Sequence, residues 1–182
     1  MPDFLVLTVI ADDKPGIVEK LSSVIADHQG NWLESRMAQM AGKFAGILRI
    51  SIDSEHKSKL VAALSSLDSS GLLVRVENPA SPLSSQATHV VNLSVVGNDR
   101  PGIVREVSQA LAQIGVNVLE LSTSCEPAEM SAVPLFRSEI RASVPDTLDH
   151  EDVSDALEAL SDDLMVESVS YTHLTLPTIR EV

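Results

Sequence analysis

The 182-residue chain is poor in basic residues: 13 Lys and Arg stand against 26 Asp and Glu, a formal net charge of −13. Phosphate backbones need a cationic face, so the composition argues against direct binding of DNA or RNA. No Lys/Arg cluster supplies a local exception, and a polybasic membrane anchor is excluded on the same ground. Aromatic residues make up only 3%. Trp32 and three phenylalanines are too few for a base-stacking platform. The single cysteine, Cys125, rules out an intrachain disulfide framework and a cysteine-based zinc site. Such usage suits a reducing cytoplasm. Long apolar runs are missing too. Residues 5–10 are too few for a secretory signal or a bilayer span, and no basic segment precedes them. The expectation is a soluble, acidic, cytoplasmic protein.

Chemistry-bearing motifs are equally scarce. His28, His56, His89 and His150 are scattered, and His173 lies near the C-terminus. No pair has helix-face metal spacing, so no metal ion is expected. There is no Gly-rich phosphate loop, and no cofactor is expected. Cys125 has no partner that would mark it as a nucleophile. Nothing combines nucleophile, base and oxyanion donors, so the chain reads as a non-enzyme.

What the chain does have is 44% apolar residues, enough for a core, and an internal repeat. Asp13-Lys14-Pro15-Gly16-Ile17-Val18 recurs 86 residues later as Asp99-Arg100-Pro101-Gly102-Ile103-Val104. In the same register Leu7 matches Leu93, Val9 matches Val95, Asn31 matches Asn117, Leu33 matches Leu119 and Glu34 matches Glu120. Identities on both sides of the motif indicate a duplicated module. The expected boundaries are 1–78 and 88–168, joined by a Pro/Ser/Ala linker over 79–87.

Each copy carries the same pattern. Residues 4–11 are rich in Val, Leu, Ile and Thr and read as a strand. Pro15-Gly16 breaks it, and Ile17, Val18, Leu21, Val24, Ile25 and His28 then share a helical face. Gly30 ends that helix. Residues 31–40 and 44–54 read as a hairpin turning at Ala41-Gly42-Lys43. Asp53 or Ser54 can cap a second helix carrying Leu60, Leu64 and Leu67. Residues 72–77 close the module as a strand. The second copy repeats this with strands at 88–97, 117–125, 135–144 and from 164. Its helices are at 103–114 and 153–160, and its hairpin loop, 126–134, is longer. The order βαββαβ predicts an α+β fold: two tandem ferredoxin-like modules, each an antiparallel sheet with both helices on one face.

The segment 169–182 has no counterpart in the first copy. It resembles the translation of a transposase-type sequencing adapter; the alternative is a genuine extension. It is left out of the fold reasoning as a scar would be.

The repeated strand-to-helix turn is the candidate site. Gly16 and Gly102 leave backbone exposed to close approach. Amides at a helix N-terminus favour an anion, and Asp13 or Asp99 can cap some of them itself. Asn31 and Asn117 begin the strand after the helix, whose start can approach the first helical turn of a neighbouring module, and they offer both donor and acceptor. Together these groups could hold an α-amino acid. Its carboxylate would lie on the amides and its ammonium on Asn, backbone carbonyl, Asp13 or Asp99. A plain structural turn explains the same residues. Glu34 and Glu120 fit a shared role, a solvated strand face or an interface salt link.

Strand, Asp-x-Pro-Gly-Ile-Val, helix, Gly, Asn and a strand pair resemble the ACT domain, here in tandem over residues 3–77 and 88–168. The resemblance implies a small-molecule sensor, often for amino acids, whose modules pair side by side and bind ligand at the interface. The implied ligand-binding residues are Asp13, Pro15, Gly16, Ile17 and Asn31, with Asp99, Pro101, Gly102, Ile103 and Asn117. Two ACT modules standing alone, with the longer second loop and Val133-Pro134-Leu135-Phe136, resemble the glycine cleavage system transcriptional repressor group. That implies an amino-acid ligand such as glycine, a DNA-binding transcription factor as protein partner, and a homodimer as one assembly. Ala11-Asp12 against Gly97-Asn98, and Trp32 against Val118, mean that the two turns need not be equivalent. A constitutive interaction module and a detached regulatory piece of a metabolic enzyme are the rival readings.

Overall fold

The computed structural model describes residues 1–81 and 86–170, the last two by backbone alone. The chain divides into two compact units, Met1–Leu83 and Ser84–Val182.

In the first unit β1 (Pro2–Asp12) leads through the turn to α1 (Ile17–Asp27). The hairpin β2 (Asn31–Met40) and β3 (Lys43–Asp53) follows, then α2 (Ser54–Ser66), a 3₁₀ turn (Leu67–Ser70) and β4 (Leu73–Glu77). The second unit repeats the order with β5 (Thr88–Asn98), α3 (Ile103–Gln113), β6 (Asn117–Glu126), β7 (Leu135–Pro145), α4 (His150–Glu158) and β8 (Met165–Ser170). Each sheet is antiparallel, ordered β2-β3-β1-β4 and β6-β7-β5-β8. The expected βαββαβ fold is present twice. Val169 and Ser170 extend β8 opposite Asn92 and Val91; the rest of the expected adapter-like tail lies outside the described residues.

Period-two alternation sets the faces. Leu5, Leu7, Val9 and Ala11 of β1 point inward beside Leu48, Ile50 and Ile52 of β3. Ile17, Leu21 and Ile25 of α1 and Leu60 and Leu64 of α2 cover them. The second core repeats this layer with Val91, Leu93 and Val95 under Ile103, Val107, Leu111, Val153 and Leu157. Fully burying such a side chain contributes roughly 1.5–3 kcal/mol. Each unit therefore has a core of its own.

Two local expectations need correction. Gly30 does not supply the left-handed residue that ends α1; Gln29 does, at φ 63°. Gly30 comes one residue later, where a Cβ would lie 2.8 Å from Ile25 Cγ2. Its N–H donates to the Ile25 carbonyl at 2.8 Å and that of Gln29 to Ala26 at 3.0 Å, a Schellman ending. Asp53 does stand at the N-cap of α2, but its side chain makes no capping hydrogen bond.

Candidate functional site

The turn between β1 and α1 is fastened by backbone. The Asp13 N–H donates to the Gly42 carbonyl in the β2–β3 hairpin at 2.9 Å. Asp99 repeats this with the Pro134 carbonyl at 2.9 Å, so the longer second loop keeps the same anchor. Gly16 and Gly102 are the N-cap residues of α1 and α3, at φ 91° and 87°. This left-handed conformation penalises any residue with a Cβ, which is the local reason for the repeated glycine. Neither helix has a side-chain cap. Capping by Asp13 or Asp99 is therefore not seen; at α3 the Ile103 N–H donates instead to the Arg100 carbonyl at 3.3 Å.

A cavity of about 90 Å³ lies beside the first turn. Lys14, Pro15, Gly16 and Lys20 form one wall, and Ser70 and Gly71, just before β4, form the other. It has room for several waters at about 10–15 Å³ each, the scale of a small polar ligand group. Ile17 reaches it from the start of α1, whereas Asp13 and Asn31 do not line it. Asn31 pairs with Ser51, which pairs with Phe4, near the opposite end of β1 from Asp12. Eight residues of strand separate those levels, roughly 27 Å at 3.4 Å per residue. Asn117 pairs with Ser143 and is equally far from its own turn. Within a module the structure brings Pro15, Gly16 and Ile17 together and leaves Asn31 apart.

The repeated Asn-x-Leu-Glu segment instead builds a β-bulge. The register slips between Trp32 and Glu34, and again between Val118 and Glu120. After the bulge Glu34 lies opposite Arg49 with a 2.9 Å ion pair. Glu120 lies opposite Arg141 at 3.4 Å. These exposed cross-strand pairs account for the repeated glutamates through sheet geometry.

Charge separates the two turns. In the first, Lys43 engages the Asp12 carboxylate and holds it below its ordinary value. In the second, Arg100 Nη2 donates to Glu106 Oε2 at 2.5 Å, which lowers the Glu106 carboxyl and raises the Arg100 guanidinium. Asp163 accepts from the Ser161 hydroxyl and from the Asn98 N–H at 3.3 Å, and it too is lowered. Sequence reasoning missed Lys20, Gly71, Glu106 and Asp163. The lysine-to-glutamate change between repeats was the available signal. Cys125 lies beside Asp99; desolvation first, then that carboxylate, pushes its thiol up. Such a thiol is a poorer nucleophile at neutral pH. No cluster of three or more metal-ligating side chains occurs among the described residues. Nor does any helix there have the length and apolarity to cross a membrane.

The ACT domain family matches this chain twice, over residues 3–77 and 89–169. The glycine cleavage system transcriptional repressor of Escherichia coli (strain K12) is 25% identical over 165 residues, covering 88% of this chain and 85% of that protein. The crystal structure of an unknown protein from Galdieria sulphuraria is 29% identical with a TM-score of 0.78, over 94% of this chain and all of the other. A crystal structure of a protein proposed to be a glycine cleavage system transcriptional repressor superposes with a TM-score of 0.67 at 20% identity, over 94% of this chain and 99% of that one.

Proposed function

The chain belongs to the ACT domain family, and from that premise we propose that it is an amino-acid-sensing regulator acting through a protein partner. The observation that carries the reading is the cavity beside the Pro15-Gly16 turn, at the open end of α1 and between two lysines. A carboxylate is favoured there by helix amides and ammonium groups alike. Glycine is the first ligand to test, because the relative from Escherichia coli is named for the glycine cleavage system. The second turn and Asn31 and Asn117 belong to the proposal as further ligand groups.

The net charge of −13 disfavours contact with DNA, so regulation of transcription requires a DNA-binding partner. The open face of the first sheet supports a docking role: Phe4, Ile10, Ile47 and Leu73 are 44–55% exposed on it. A single cysteine and acidic composition suit a cytoplasmic setting. The ligand acts only if it favours one arrangement of the protein over another.

Titration calorimetry of the folded chain with glycine, serine and other amino acids tests the sensor reading. Saturable heat with at least one of them is expected; silence across the set overturns it. A pull-down with and without the binding amino acid then separates ligand-controlled docking from constitutive interaction.

A further inference from the structure

We propose that the second unit holds a further site: a groove between α3 and β6 that takes a small, neutral, largely apolar molecule whose one hydrogen-bonding atom pairs with Ser138. This groove and the Pro15-Gly16 cavity belong to different units, and the groove stands whether or not that cavity binds an amino acid.

Among the described residues Ser138 is the one buried polar side chain, 2% exposed, and its Oγ has no hydrogen-bond partner there. Buried hydroxyls are normally paired, because an unpaired one has lost its water for nothing. Ser138 lies between Phe136 and Ile140 on the inward face of β7 and lines a cavity of about 20 Å³. Leu111 and Phe136 are buried at its floor, and the exposed Val104, Val118 and Leu121 form its mouth. The floor has room for about one water at 10–15 Å³. A buried water typically makes about three hydrogen bonds. Apart from Ser138, the polar side chain on the lining is Ser108, which already donates to the Arg105 carbonyl at 3.0 Å. No charged side chain lines the cavity among the described residues. An ion or a zwitterion would therefore lose its hydration without a partner. An apolar body with a single polar atom meets both the aliphatic walls and the hydroxyl.

The first unit shows what such a space takes. Val9 pairs with Gly46 and Val95 with Ser138, so Ser138 stands where the first unit has glycine. Met37 pairs with Gly46, and a Cβ built at Gly46 would lie 2.6 Å from Met37 Cγ. Both Met37 and Trp32 pack against the first core. The 86-residue offset puts Thr123 and Val118 at those two positions. Every residue of β6 is exposed, so neither of them covers the second core in the same way. An indole and a thioether have been exchanged for smaller groups, and a hydroxyl has been added beneath them. Covering a core calls for no hydroxyl at that place, whereas holding a molecule with a donor or acceptor does. In the first unit the indole N–H of Trp32 donates to Ser35 Oγ at 3.2 Å. The chain's own occupant is thus a flat apolar group that pairs its one polar atom with a serine.

Backbone-amide NMR of the full chain, titrated with indole and separately with indene, its isostere without the N–H, tests this. Saturable shifts with indole are expected at Val104, Val118, Leu121 and Ser138, with the counterparts Val18, Trp32, Ser35 and Gly46 unmoved. Ser138→Ala is expected to weaken indole about threefold or more, the scale of one net hydrogen bond, and to leave indene unchanged. Val118→Trp copies the first unit's covering residue and is expected to abolish the shifts. Thr123→Met combined with Ser138→Gly copies the other one and is expected to do the same. No saturable shift in the second unit, or equal shifts in both, overturns the site. So does unchanged indole affinity in folded Ser138→Ala, or undiminished binding by either filled variant in folded form.

Discussion

At the scale of single residues, Gly16 joins two demands that a substitution can separate. Its φ of 91° resists a Cβ, yet a Cβ built there meets nothing within 4 Å. The obstacle to a side chain is therefore backbone strain, with open space around it. Gly16→Val forces a β-branched residue into the left-handed region, and a loss of about 1–2 kcal/mol in urea unfolding is expected. Gly16→Asn tolerates that conformation better and should lose less than half as much. If the cavity is the ligand site, Asn should still weaken amino-acid binding by calorimetry. Retained affinity in folded Gly16→Asn would place the ligand elsewhere.

At the scale of elements, the helix ends differ more than the strands do. α4 carries a full capping box: the Asp149 carboxylate accepts from the Asp152 N–H at 2.9 Å, and Asp152 accepts from the Asp149 N–H at 3.0 Å. The backbone bond from Asp152 above all, with a further one from Glu151, lowers the Asp149 carboxyl from its ordinary 3.8. A depressed folded-state value gives stability that is complete above the unfolded value and is lost as pH falls through the folded one. The second unit should therefore lose this contribution below about pH 4. Asp149→Asn caps without titrating, so its melting temperature should match the parent near neutrality and fall less steeply in acid. A parallel acid limb in thermal melts would refute the assignment. The helix α2 has no such device, although Asp53 stands at its N-cap. A capping residue type is visible in a sequence, whereas the rotamer that makes the bond depends on what surrounds it.

At the scale of the whole molecule, two separate cores predict separable stability. Leu64 is fully buried in the first core and Leu157 in the second. Leu64→Ala should cost about 2–5 kcal/mol in the first unit. Hydrogen exchange should then show weakened protection of β1 and β3 with β5 and β7 unchanged. Equal weakening of both sheets would mean that the units unfold as one. The open sheet faces differ as well. Phe4 and Ile10 lie outward on β1, where β5 carries Val90 and Val96, whereas Ile47 lies outward on β3, where β7 presents Glu139. The inward positions stay small or apolar in both copies, while the outward ones are mixed: Arg49 recurs as Arg141, and Ile47 is replaced by Glu139.

Much of the fold was legible because it is periodic and repeated. Composition marked residues 4–11 as a strand, of which the structure turns Leu5, Leu7 and Val9 inward, and the 86-residue offset identified a second copy of every element. Glycine at both turns was visible in the sequence, and its left-handed N-cap conformation came from the structure. The site was only half legible. Pro15 and Gly16 are adjacent in the chain, but Gly71 reaches the first cavity only because β4 pairs with β1. Asp163 approaches Arg100 for the same reason through β8. For Asn31, register puts it beside a bulge and far from the turn of its own module, so any part it plays in a site belongs to the turn of a neighbouring module, as expected from the sequence. The acidic balance, the duplication and the βαββαβ order are properties of composition and local pattern, and the sequence by itself determined them. Which carboxylate meets which cation depends on contacts between residues tens of positions apart, and only the tertiary structure decided that.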